Sequence, residues 1–80
     1  MASLARRLGK SADELGKSGG RGRCPDIWEL DNGDIAVIGR DLTGWYASRL
    51  PVDVSIAADE RMVIIPRATL VSAKADIPDA

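Results

Sequence analysis

DIWELDNGDIAVIGRD, residues 26–41, packs Ile27, Trp28, Leu30, Ile35, Val37 and Ile38 around the tetrad Asp31-Asn32-Gly33-Asp34. Asn-Gly is a strong hairpin signal, because a two-residue type I′ turn needs positive φ at both central positions and these two residues accept it. A turn centred on Asn32-Gly33 predicts that Leu30 faces Ile35, Glu29 faces Ala36, Trp28 faces Val37 and Ile27 faces Ile38. One side of the ribbon then carries Trp28, Leu30, Ile35 and Val37. The other carries Ile27, Ala36 and Ile38, with Glu29 as its only charge. A hairpin apolar on both sides needs cover on both sides.

Working outward, Thr43 is placed to cap a short helix through Gly44–Arg49 that Pro51 stops. Val52, Val54 and Ile56 alternate as an edge strand would. Arg61–Ile65 (RMVII) reads as the third strand of the sheet. Pro66 ends it and opens a last helix with Leu70, Ala73 and Ile77 inward and Lys74 outward. The expected fold is α+β or mostly β: a small antiparallel sheet of three to four strands, built on a hairpin at residues 27–39, with one or two short helices.

Residues 1–23 are expected to form a flexible basic arm, with 24–80 as the sheet domain. Leu8-Gly9-Lys10-Ser11 recurs as Leu15-Gly16-Lys17-Ser18. Leu4, Leu8 and Leu15 fall near one helical face with Ala12 between them, a helix that would be marginal in water and is weakened by Gly9. Residues 19–23 (GGRGR) read as a linker. The arm holds six basic and two acidic residues, a net +4, against a net −5 for the remainder.

The chain's 80 residues make one domain at most, and a chain this short buries only about 60% of its unfolded surface. Small domains usually need a staple. A single cysteine, Cys24, forbids an internal disulfide, and the absence of histidine removes the commonest metal ligand and acid–base group. Self-association or a protein partner is the staple that remains. No apolar run of about 18 residues and no signal-type leader is present, so the expectation is a cytoplasmic protein without a membrane span.

Few motifs suggest chemistry. A phosphate loop would need a glycine at Ser11 or Leu4 to precede either Gly-Lys-Ser. Asp31 and Asp34, with Asp26 and Asp41 nearby, faintly resemble a calcium loop but fit turn chemistry better. Cys24 lacks a histidine to activate it, although Arg21 and Arg23 flank it. No catalytic residue, metal site or cofactor is expected. Trp45 and Tyr46, rimmed by Arg40 and Arg49 and joined by Met62 and Ile64, are the expected partner interface. The alternative is nucleic-acid binding through Arg6, Arg7, Lys10, Arg21 and Arg23.

At CPDIWELDNGDIAVIGRDLT and RMVIIPRATLVSAKADI the sequence resembles short uncharacterised proteins of Streptomyces-type actinobacteria. It is also distantly similar to a small regulatory family encoded beside helix-turn-helix regulators. In that family a cysteine leads into a strand–turn–strand ending Val-x-Val-Arg-Asp. Cys24, Asn32-Gly33, Ile35-Ala36-Val37 and Arg40-Asp41 occupy that pattern here, with Gly39 inserted. The resemblance implies a regulatory partner protein and brings no catalytic residues. Together with the missing staples and the two-faced apolar hairpin, the expectation is a non-enzymatic module that binds a transcription regulator or another copy of itself.

Overall fold

The computed structural model describes residues 1–16 and 25–79. Lys17 and Ser18 of the second Gly-Lys-Ser, the glycine-rich linker, Arg21, Arg23 and Cys24 lie outside the described residues. The chain is a small α+β fold. Strands β1 (Leu4–Arg7), β2 (Asp26–Leu30) and β3 (Ile35–Ile38) form one antiparallel sheet in the order β1-β2-β3. Strands β4 (Arg40–Asp41) and β5 (Val63–Ile64) form a separate antiparallel pair. Helix α1 spans Thr43–Tyr46, and α2 spans Arg67–Ala73 before a 3₁₀ turn at Lys74–Asp76. Among the described residues no helix is long and apolar enough to cross a membrane.

The hairpin forms where the sequence placed it, but one residue out of the expected register. Ile27 pairs with Val37, Trp28 with Ala36 and Glu29 with Ile35. The cause is the turn. Gly33 has φ +91, whereas among the described residues no other residue type takes positive φ, so Asn32 does not occupy a type I′ position. Gly33 N–H donates to the Leu30 carbonyl at 3.0 Å, and Leu30 N–H donates to the Asp34 carbonyl at 2.8 Å. Those bonds describe a three-residue loop whose last residue is left-handed. Asn32 Oδ1 accepts from the Asp34 N–H at 3.0 Å, a local bond that favours this loop.

A one-residue shift changes which side chains share a face. Ile27, Glu29, Ile35 and Val37 now lie together, and Trp28, Leu30 and Ala36 lie opposite with Asp26 and Ile38. The first face gathers the aliphatic residues and takes the cover. Leu8 and Ile27 are buried on it against Ala73 of α2, with Ile65 packed alongside. Ala73 is fully buried because α2 approaches at the closest place a methyl permits.

The third strand is not the expected one. Residues 61–65 contribute only the two-residue β5, which pairs with β4 outside the main sheet. Residues 52–56 form no strand, and Val52 is fully exposed, because alternation makes a strand only beside an edge that can pair with it. The main sheet is completed by Leu4–Arg7, where a flexible arm with at most a marginal helix was expected. Leu4 pairs with Leu30, Arg6 with Glu29 and Arg7 with Trp28, and Leu8 N–H donates to the Ile27 carbonyl at 2.8 Å. Both arginines are tolerated in a strand because each faces a carboxylate of β2.

Beyond Leu8 the chain crosses onto α2. Gly9 N–H donates to Asp76 Oδ2 at 2.7 Å and Lys10 N–H to Ser72 Oγ at 3.2 Å. Ser11 and Glu14 then form a reciprocal capping box: Glu14 Oε1 accepts from Ser11 N–H at 2.9 Å, and Ser11 Oγ accepts from Glu14 N–H at 3.2 Å. These bonds start a single helical turn that buries Ala12 completely. The Ser-x-x-Glu spacing is a legible sequence signal, obscured here by the repeat around it.

Candidate interaction surface

The cover over the sheet is incomplete. Leu8, Ile27, Ile35, Val37, Ile65, Leu70, Ala73 and Ile77 line an open cleft of about 180 Å³ between the sheet and α2, with no polar lining. Its floor, Leu8, Ile27 and Ala73, is buried. Its rim is not: Ile35 and Ile77 are each 49% exposed, Val37 43% and Leu70 54%. The rim combines the edge strand with the exposed side of α2. None of these four residues belongs to the interface expected from the sequence. The signals that pointed to them were the apolar hairpin and the spacing of Leu70, Ala73 and Ile77.

The expected interface residues fall into smaller groups. Trp45 is 59% exposed, with the Arg49 guanidinium 3.9 Å from its ring centroid. Arg49 also donates to the Trp45 carbonyl, which holds the stack in place. Tyr46, on the same helix, is half-buried. Arg40 pairs with Ile64 across β4 and β5. Met62 is tied to α1 through its N–H, which donates to Thr43 Oγ1 at 2.7 Å.

Thr43 was expected to cap α1 and does not, since no side chain bonds from the helix's cap position. Its hydroxyl anchors Met62, and its own N–H donates to Asp41 Oδ1 at 3.0 Å. That bond, with the Thr43 hydroxyl, holds the Asp41 carboxyl below its ordinary value.

Of the basic residues expected to meet nucleic acid, Arg6 and Arg7 have side-chain partners in the same domain, while Arg21 and Arg23 lie outside the described residues. Arg6 Nε donates to Glu29 at 3.0 Å, and its Nη2 donates to the Asp76 carbonyl at 2.8 Å. Arg7 makes a two-pronged bond to Asp26 at 2.8 and 3.2 Å and lies 4.8 Å from the Trp28 ring centroid. Lys10 is exposed, but its backbone is held by Ser72. Asp31 accepts from the Ser3 N–H at 3.2 Å, and Asp34 accepts from Asn32 at the same distance, so the loop carboxylates serve the turn. Among the described residues no group of three or more His, Cys, Asp or Glu is placed to hold a metal.

The Asp26 cluster is the strongest electrostatic feature of the sheet. Burial pushes its carboxyl up, but bonds from the Arg7 guanidinium and the Trp28 side chain, the Arg7 charge and the Ile27 N–H outweigh burial and hold it below the ordinary aspartate value. A depressed carboxyl stabilises the fold above its unfolded value, and that stability is lost as pH falls through the folded value. Asp26→Asn should therefore reduce stability at neutral pH while flattening its loss in acid below about pH 4. The expected cost is about 1–2 kcal/mol, short of the 3–5 typical of a fully buried pair because the Arg7 side chain is 37% exposed. Urea titrations of both proteins at neutral pH and near pH 3 measure it; parallel acid profiles would show that Asp26 does not carry the effect.

No protein-family model, curated protein or solved structure matches this chain.

Proposed function

We propose that this chain is a non-enzymatic protein-interaction module and that its first partner is another copy of itself. The observation that carries this reading is the cleft, wholly apolar and rimmed by four half-exposed aliphatic side chains. Water over such a surface is displaced favourably, at about 25 cal/mol for each Å² covered. The domain also has very little core of its own, with only Leu8, Ala12, Ile27 and Ala73 as buried apolar residues among those described. Association that buries part of the cleft's rim would supply the staple that a chain of this size usually takes from disulfides or metals.

The resemblance to a regulatory family adds a transcription regulator as a further partner, and the exposed Trp45–Arg49 stack is the surface we assign to it. Tryptophan and arginine are enriched among interface residues that dominate binding. The nucleic-acid alternative has less support, because Arg6 and Arg7 are engaged by Glu29 and Asp26.

The test is the mass of the full chain in solution across the micromolar range, with and without Val37→Asp. The native chain is expected to pass from monomer to dimer as concentration rises, and the variant to stay monomeric with an unchanged circular dichroism spectrum. A native chain that remains monomeric throughout, or a variant that dimerises equally well, overturns the reading.

A further inference from the structure

We infer that two copies join edge to edge through β3, in the one antiparallel register that sets Val37 opposite its own counterpart. This rests on the self-association proposed above and specifies its geometry. The argument begins with the ladder between β2 and β3. Leu30 N–H bonds the Asp34 carbonyl, and Trp28 pairs with Ala36 and Asp26 with Ile38. In an antiparallel pair such residues alternate between exchanging hydrogen bonds and not. Residues 34, 36 and 38 therefore turn their backbone groups toward β2, and Ile35 and Val37 turn theirs to the outer edge. β3 is the last strand of its sheet, so among the described residues that edge has no neighbour.

Natural edge strands are usually protected by a lysine, a proline, a bulge or an inward charge. Ile-Ala-Val-Ile carries none of these, and Ile35, Val37 and Ile38 are all exposed. The charges stand just outside it instead, Asp34 at one end and Arg40 at the other. They lie three residues to either side of Val37, and neither has an intrachain ion pair among the described residues.

A second copy can add only in registers where outward-facing residues meet outward-facing residues. With Ala36 on the two-fold axis, Asp34 would face Ile38 of the other copy. With Ile38 on the axis, Arg40 would face Ala36. With Val37 on the axis, Asp34 of each copy faces Arg40 of the other, and Ala36 faces Ile38. The two Asp34–Arg40 pairs then sit at non-hydrogen-bonded positions, where opposed side chains approach most closely. Val37 also lines the cleft, so this register joins the two clefts into one apolar trough across the axis and covers both Val37 side chains.

The register is read by cysteine crosslinking of the full chain in a Cys24→Ser background. Residues opposed in a hydrogen-bonded pair have Cα atoms about 5.5 Å apart, within disulfide reach. Val37→Cys should form a covalent dimer under mild oxidation much faster than Ala36→Cys or Ile38→Cys. Charge reversal gives an independent reading: Asp34→Arg or Arg40→Asp alone should weaken the dimer about tenfold, and the two together should restore it. A dimer that crosslinks best at 36 or 38, or that ignores charge reversal, overturns the register and leaves self-association standing. A chain that never dimerises overturns both.

Discussion

Removal of residues 1–12 is expected to unfold the domain. These residues supply β1, the buried Leu8 and Ala12, and the Arg7 guanidinium that satisfies Asp26. Losing a buried leucine side chain alone typically costs about 2–5 kcal/mol, depending on how far the site collapses. The deletion also strips β2 of a neighbour and leaves a two-stranded ribbon, which is marginal at best in water. It leaves the Asp26 carboxylate unpaired on that ribbon. Small domains have about 5 kcal/mol of stability or little more, so these losses together exceed what is available. Circular dichroism of the truncated chain should show no cooperative urea transition at room temperature. A sigmoidal transition with an unchanged midpoint would mean that the first twelve residues are the dispensable arm their composition suggests.

That contrast locates what the sequence conveyed and what it hid. The hairpin was legible because Asn32-Gly33 punctuates two apolar runs, and α2 because Pro66 precedes a helical spacing of apolar residues. The register was not legible. It depends on whether one or two residues take positive φ, and Asn32 is permitted either choice. In the structure the bond from Asp34 N–H to Asn32 Oδ1 goes with the three-residue loop.

β1 was hidden more deeply. Leu-Ala-Arg-Arg carries no strand signal of its own, and its two arginines suggest a solvated or anion-binding segment. Their partners Glu29 and Asp26 lie 23 and 19 residues away, a pairing that only the folded sheet brings about. The cleft was half legible. Its residues stand out as apolar in the sequence, but Ile27 was expected on the opposite face from Ile35 and Val37. They come together because the shifted register puts all three on the side that α2 covers. Trp45 drew attention as an aromatic beside a turn glycine, whereas the aliphatic rim drew none because each member alone looks like core.

Gly9→Ala should cost about 3 kcal/mol, and Gly16→Ala only about 1, although both glycines have the same left-handed backbone. Gly9 has φ +79 and Gly16 φ +68, so an alanine at either meets the same local penalty for an L side chain. The difference is what stands beside them. A Cβ on Gly9 would lie 2.7 Å from the Ala73 nitrogen, 2.8 Å from its Cα and 2.6 Å from Ser72 Oγ, whereas a Cβ on Gly16 meets nothing within 4 Å. Ser72 can rotate away, but the backbone of α2 cannot yield without moving Ala73, which is fully buried in the core. Shifting the Gly9 segment outward instead would break its N–H bond to Asp76 and the Lys10 bond to Ser72, and would pull on Leu8 one residue earlier. Either response opens the floor of the cleft, so the variant should also bind an environment-sensitive apolar dye more strongly than the native chain does. Urea midpoints for the two alanine variants measured together separate backbone strain from steric exclusion. Equal midpoints would mean that α2 does not sit against Gly9, and the path that carries the first strand into the core would then have to be redrawn.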